Sequence, residues 1–286
     1  MQSLSEKQNP EQKEASGMRE IRQAVRETIR VAETRLTLLD IERRLSRSCL
    51  CGRRAVRSAI RELVDRQELM YVSDFGHTFI EISLHKPIRI TNSIILKPLN
   101  CTVEQRPGDI VVSLCLGSSF GSGQHSSTRL CLKGMEYFLG KESVPMPSKN
   151  TSALDIGTGS GVLIIAALKM GIASGMGIDI DPCSISEARN NVACNGLLNR
   201  IVISTQPFEK IVESYDLILA NLRLPTLKSF FPQMVSQTKP GGAILLSGIK
   251  SEERASIVRQ SRGLELHQKW MDEERGWAAI GFQKDQ

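Results

Sequence analysis

From residue 18 the chain alternates apolar and charged positions with helical spacing. Ile21, Ala24, Val25, Thr28, Ile29 and Ala32 share one face, while Arg22, Arg26 and Arg30 share another. A short helix follows over residues 39–45. A third is predicted over residues 53–65, where Ala55, Val56, Ala59, Ile60, Leu63 and Val64 form the stripe and Arg54, Arg57 and Arg61 the open side. Residues 69–72 and 78–82 read as strands of a hairpin around Asp74-Phe75-Gly76. Strand-like pieces recur at 88–90, 94–96 and 110–116, followed by a helical stretch through Leu130, Leu132, Met135 and Phe138 and a linker over about 140–152. Beyond it, strands at 153–156, 176–180, 201–204, 217–221 and 243–248 alternate with helices, the pattern of a doubly wound α/β sheet, and residues 277–282 read as the last strand of a final hairpin holding Trp270 and Trp277.

The pattern divides the chain into a polar tail (1–17), read as disordered, a small α+β domain (18–86) and a large α/β domain (87–286). With 286 residues, 41% of them hydrophobic, there is material for one large core and a smaller one. No apolar run approaches the roughly 20 residues of a bilayer helix, and the N-terminus lacks the apolar core of a secretion signal, so a cytoplasmic location without membrane contact is expected. Seven cysteines, an odd number without metal-type spacing, read as reduced thiols; Cys49 and Cys51 lack a second ligand pair, and no metal site is expected. Charge changes the picture more than its total of +6 suggests. Residues 18–70 hold thirteen Arg and no Lys against eight carboxylates. Three helices and a hairpin resemble a winged helix-turn-helix, whose third helix would turn its arginines to nucleic-acid phosphates; the alternative is a module that docks protein or positions its neighbour. Oligomeric state is not legible.

The strongest chemical signal is Leu154-Asp155-Ile156-Gly157-Thr158-Gly159-Ser160-Gly161 followed by Gly177-Ile178-Asp179. An apolar strand ending in closely spaced glycines lets backbone approach a bulky ligand, and an acid at the tip of the next strand suits a ribose. Val162 stands where the dinucleotide fingerprint wants its last glycine, which tilts the reading away from NAD. Asp155 is placed to accept from the cofactor's amino group and Asp179 to take the ribose hydroxyls, with turn formation as the structural alternative for both. Asp181 before Pro182 reads as a helix N-cap. The apolar strand ending in Asn221 and the Lys239-Pro240-Gly241-Gly242 turn after it are characteristic of S-adenosylmethionine-dependent methyltransferases.

Six blocks, residues 120–132 (FGSGQHSSTRLCL), 154–161 (LDIGTGSG), 177–182 (GIDIDP), 190–196 (NNVACNG), 215–221 (YDLILAN) and 239–249 (KPGGAILLSGI), together resemble the PrmA-type ribosomal protein methyltransferases over roughly residues 87–286. The resemblance implies a Rossmann-like class I methyltransferase fold, S-adenosyl-L-methionine as cofactor and a protein amine, such as one on a ribosomal protein, as substrate. By it, Phe120, Gly121, Gly123, His125 and Thr128 lie by the cofactor with Gly157, Gly159 and Gly161, and Asn221 orients the target nitrogen. Departures bear on the substrate. Cys115-Leu116-Gly117 stands where the family has Asp-Pro-Gly, Leu222-Arg223-Leu224-Pro225 follows Asn221, and Thr205-Gln206-Pro207 replaces an adenine-contacting Asp. The arginine-rich module replaces the family's substrate-gripping domain.

Methyl transfer from a sulfonium is an in-line displacement, so the protein's task is alignment; positioning can supply roughly 7–11 kcal/mol of a barrier. A lysine target with a pKa of about 10.4 must first lose a proton. Asn221 would accept from the amine, and His125 is either a proton acceptor or a structural hydrogen-bonding group. Two alternatives stand beside the protein methyltransferase: a nucleic-acid methyltransferase, lacking the usual Asn-Pro-Pro-aromatic run, and a winged-helix regulator that senses S-adenosylmethionine.

Overall fold

A computed structural model describes residues 10–32, 34, 36–48, 52–74, 77–83, 86–115, 125–140 and 150–286. They fall into two units, Met1–Lys86 and Pro87–Gln286. In the first, α1 (Pro10–Arg30) begins inside the stretch expected to be a disordered tail. Pro10 suits a first helical position and Glu, Gln, Lys and Ala are strong helix formers, so low hydrophobicity did not prevent a helix there. The two-residue strand β1 (Leu36–Thr37) leads into α2 (Leu38–Ser48), and α3 (Arg53–Asp65) follows. The hairpin β2 (Leu69–Asp74) and β3 (His77–Ile82) pairs antiparallel, and β1 adds to β3, giving the order β1-β3-β2. Val56, Ala59, Ile60 and Leu63 of α3 pack with Val25, Ile29, Ile41 and Leu45 in one apolar core. Cys49, Cys51, Phe75 and Gly76 lie outside the described residues.

The second unit opens with a small sheet: β4 (Ile88–Arg89) antiparallel to β5 (Ile94–Pro98), which runs parallel to β6 (Ile110–Leu114). Helix α4 (Ser126–Leu139) precedes the main sheet, whose elements are β7 (Ser152–Ile156), α5 (Val162–Lys169), β8 (Ser174–Ile178), α6 (Pro182–Cys194), β9 (Ile201–Ser204), β10 (Tyr215–Asn221), α7 (Leu224–Gln237), β11 (Thr238–Lys250), α8 (Arg254–Gln260), β12 (Leu266–Glu274) and β13 (Trp277–Lys284). Strand order is β12-β13-β11-β10-β7-β8-β9, with β9 through β11 parallel and the final hairpin antiparallel. Strand β11 starts earlier than predicted, at Thr238; its pairing with β10 shifts register across the Lys239–Gly242 turn, where Gly241 has φ +73°.

The chain moves outward from β7 to β9, then returns to place β10 on the other side of β7. That reversal leaves a crevice at the carboxyl ends of β7 and β10, where open α/β sheets bind ligands. One core lies between the sheet and α4, α5 and α6, the other beneath α7 and α8. Helix α5 is buried on every side, Val162 through Leu168, because it is covered by both the main sheet and the small one.

Candidate active site

The glycine turn leaves β7 in a conformation few other residues adopt. Gly157, Gly159 and Gly161 have φ of +73°, +54° and +80°. The amides of Gly157 and Thr158 both donate to the Ile178 carbonyl at 2.9 Å, tying the turn to β8. A Cβ on Gly157 would lie 2.5 Å from Leu222 Cδ2, so the turn passes close beneath the chain that follows Asn221.

Asp179 follows β8. Its Oδ2 accepts from the Gly159 amide at 2.9 Å and its Oδ1 from the Asp181 amide at 3.0 Å. Each oxygen has a further lone pair, so a carboxylate held by two amides can still grip two hydroxyls. Asp181 is an N-cap as predicted, accepting from the Cys183 amide at 3.0 Å and the Ser184 amide at 3.3 Å with Pro182 in the first turn. These bonds, led by the one from Cys183, hold its carboxyl below the usual range.

Asn221 ends β10. Its Nδ2 points to Thr128 Oγ1 at 3.4 Å, and its Oδ1 is buried with no hydrogen-bond partner among the described residues. A buried acceptor left open costs about 1–3 kcal/mol unless a ligand supplies a donor. His125 caps α4: Nδ1 lies 2.7 Å from Ser127 Oγ and accepts from the Ser127 amide at 3.3 Å, so the neutral ring carries its proton on Nε2. The ring stands edge-on to Trp277 at 4.5 Å, and Lys250 Nζ lies 3.7 Å from the Trp277 ring centroid.

A cavity of about 600 Å³ gathers His125, Gly157, Gly159, Asp179 and Asn221 of the predicted set. Thr128, Asp155 and Gly161 do not line it. Thr128 is buried behind Asn221; Gly161 caps α5 and packs against Ala188. Asp155 is fully buried and does not line the cavity, and its Oδ1, like that of Asn221, has no hydrogen-bond partner among the described residues. Its Oδ2 accepts from Thr158 Oγ1 at 2.7 Å, and burial pushes its pKa up to about 7. The short hydroxyl side chain three residues on lets this acid fold inward and brace the turn. Phe120, Gly121 and Gly123 lie outside the described residues.

Leu222 and Arg223 after Asn221, and Gln206 at the place of the adenine-contacting Asp, stand in the wall as their positions in the sequence suggested, whereas Ile180, Phe208 and Trp277 escaped the sequence reading. Ile180 is 90% exposed, a free apolar surface one residue past Asp179 and suited to a flat ring. Its signal was readable, since an isoleucine beyond a strand end needs something to cover it. Trp277 gave none, because its place depends on the nonlocal pairing of β13 with β11. Glycine cradle, ribose-type acid, apolar wall and orphaned amide oxygen together fit a nucleoside sulfonium cofactor beside an amine donor.

A family model described as "Ribosomal protein L11 methyltransferase (PrmA)" matches residues 78–285. A ribosomal protein L11 methyltransferase of Geotalea uraniireducens is 36% identical over 201 residues, covering 69% of this chain and 64% of that protein. One from Trichlorobacter lovleyi is 40% identical over 174 residues, 60% of this chain and 56% of the relative. The matched part thus spans less than two thirds of these relatives. The crystal structure of a ribosomal protein L11 methylase from Lactobacillus delbrueckii subsp. bulgaricus superposes with a TM-score of 0.62 at 24% identity, covering 70% of this chain and all of that one, which shows a shared fold.

Proposed function

Because the chain belongs to the PrmA family of ribosomal protein L11 methyltransferases, we propose that it methylates an amine of a protein, with a ribosomal protein as substrate and S-adenosylmethionine as methyl donor. The observation that carries this reading is the open, buried Oδ1 of Asn221 at the wall of the cavity that also holds the glycine turn and Asp179. When bound, the cofactor supplies a methyl group on a positively charged sulfur.

Asp179 would hold the ribose hydroxyls and Ile180 would cover the adenine, while Gly157 and Gly159 admit the ligand against the backbone. Asn221 Oδ1 would accept an N–H from the neutral target amine and aim its lone pair at the methyl carbon. Thr128 acts behind it as a positioning residue, holding the amide so that the oxygen faces the cavity. His125, pinned through Nδ1 to Ser127, serves as a wall that seats Trp277. Arg223 in the same wall disfavours a second positive charge beside the target amine, which favours a substrate whose other nearby groups are neutral or acidic.

The test is incubation of the full chain with radiolabelled S-adenosylmethionine and ribosomal proteins, with ribosomal RNA as a second acceptor. Protease-sensitive label in a ribosomal protein, lost with Asn221→Ala, is expected. Label confined to nuclease-sensitive material would replace this reading with a nucleic-acid methyltransferase, and no label with intact cofactor binding would favour the cofactor-sensing regulator.

A second reading concerns the first unit, for which we infer contact with nucleic acid. Glu42, 1% exposed, is turned inward and paired with Arg57; Glu62 is paired with Arg22 and Arg66; Asp40 accepts from Thr37. Arg47, Arg53, Arg54 and Arg61 are exposed and pair with no carboxylate among the described residues. On α3, Arg53, Arg54 and Arg61 fall within an arc of roughly 100° at the helical period, away from the buried stripe, with Arg57, already paired with Glu42, between them. An unneutralised cationic face is complementary to phosphates. Binding of duplex DNA or RNA by the full chain that weakens steeply with salt is expected, and no binding at low salt would remove this reading.

A further inference from the structure

Cys115 lies one residue past β6 and Cys194 is the last residue of α6, yet their Sγ atoms stand 3.6 Å apart across 79 positions of sequence. Side chains of α6 build this approach. Asn191 Oδ1 accepts from the Cys115 amide at 2.7 Å, Asn195 Oδ1 accepts from the Ser113 amide at 3.0 Å, and Asn195 Nδ2 donates to the Ser113 carbonyl at 2.7 Å. Asn191 Nδ2 also donates to the Ser160 carbonyl at 2.8 Å, anchoring the helix to the glycine turn. The two asparagines sit one helical turn apart and flank the approach of Cys194. The backbone around both thiols is therefore fixed by hydrogen bonds that depend on neither sulfur.

Cys115 is half-buried and Cys194 exposed, so a reagent reaches the second first. Burial, and then the contact with Cys194, raises the Cys115 thiol above its ordinary range. No third ligating side chain completes a metal cluster among the described residues. Neither thiol serves the methyl-transfer chemistry above. A disulfide needs sulfurs about 2.0 Å apart, so roughly 1.6 Å must close.

We propose that Cys115 and Cys194 are a redox modification site, forming a reversible internal disulfide by exchange with a low-molecular-weight disulfide such as oxidised glutathione. Cys194 loses its proton to water, and its thiolate attacks one glutathione sulfur; the glutathione S–S bond breaks and one glutathione thiolate leaves. Cys115 then loses its proton and attacks Cys194 Sγ, displacing the second glutathione thiolate. Two protein thiols are oxidised, one glutathione disulfide is reduced to two thiols, and the protons released are taken up by the leaving thiolates. The step involves no cofactor, so it stands or falls apart from the methyltransferase reading.

The experiment treats the reduced full chain with excess oxidised glutathione, blocks remaining thiols and maps the peptides by mass spectrometry. A peptide pair joining Cys115 to Cys194, two hydrogens lighter than the reduced pair and separated again by dithiothreitol, is expected, with glutathione retained on the exposed, isolated Cys183 as an internal control. In Cys115→Ser the resolving thiol is gone, and Cys194 should keep its glutathione. A stable glutathione adduct on Cys194 of the unsubstituted chain, with no internal pair, would overturn the proposal. So would an unmodified Cys194 beside a modified Cys183.

Discussion

In the first unit Glu42 is buried against Arg57 and Glu62 is held between Arg22 and Arg66, whereas in the second Asp179 and Asp181, just past the end of β8, hold the chain's own amides. Glu42 and Glu62 are consumed by arginines of their own unit, which leaves exposed cations on α2 and α3. Asp179 and Asp181 accept from backbone, and Asp216 takes the Ser152 amide at 2.7 Å and Lys239 Nζ at 2.8 Å. Charge on the outside suits an extended partner met by attraction. Acids fixed at strand ends suit a small ligand met by shape.

Four changes test this contrast. The largest effect is expected from Gly248→Ala in the second unit, where φ is +80° and a Cβ would lie 2.5 Å from the Leu222 carbonyl oxygen, which is backbone. Strain and overpacking together should cost at least about 3 kcal/mol, read as a lowered urea midpoint; a change within about 0.5 kcal/mol would mean that the turn around Leu222 is pliable. Asp179→Ala comes next. Losing two hydrogen bonds to a charged acceptor, about 3 kcal/mol, should weaken S-adenosylmethionine binding about a hundredfold by calorimetry, and unchanged affinity would remove the ribose assignment.

The third concerns pH. Asp155 has its pKa raised from 3.8 to about 7 in the folded chain, so the folded state holds the proton more tightly than the unfolded one. Its stabilising contribution is full below about pH 4 and is lost as pH rises through about 7. Urea midpoints should fall across that window in the unaltered chain, and Asp155→Asn should flatten the fall. A slope that survives the substitution would assign the titration to another group. The smallest effect on stability belongs to the first unit. Arg53→Ala, Arg54→Ala and Arg61→Ala combined should shift stability by less than about 0.5 kcal/mol while the slope of nucleic-acid affinity against salt drops by about 0.9 for each phosphate that is no longer neutralised. A large loss of stability would show that these arginines pack against the unit.

How much could be read beforehand follows from the range of the interactions. Helix α3 was legible because its stripe repeats within thirteen residues, and β10 because a strand buried on both faces is a continuous apolar run. Strand β1 was not, since two residues become a strand only by pairing with Ile80 and Phe79. At the site, Asp179 and Asn221 were readable from their places at strand tips. The burial of Asp155 goes with a hydrogen bond from the Thr158 hydroxyl, and Trp277 enters the cavity through the antiparallel return of β13, a nonlocal pairing that leaves no local trace.

Helix α5, shielded on every side, sets how the cavity can move. Its amides have no solvent-facing side, so they should exchange with heavy water only through the largest openings of the unit, and the glycine turn at its head inherits that stillness. The opposite wall, with exposed Ile180 past β8 and the edge strand β9 behind it, has far less holding it. Entry and exit of a ligand should therefore be an asymmetric event, one wall breathing against another that acts as an anvil.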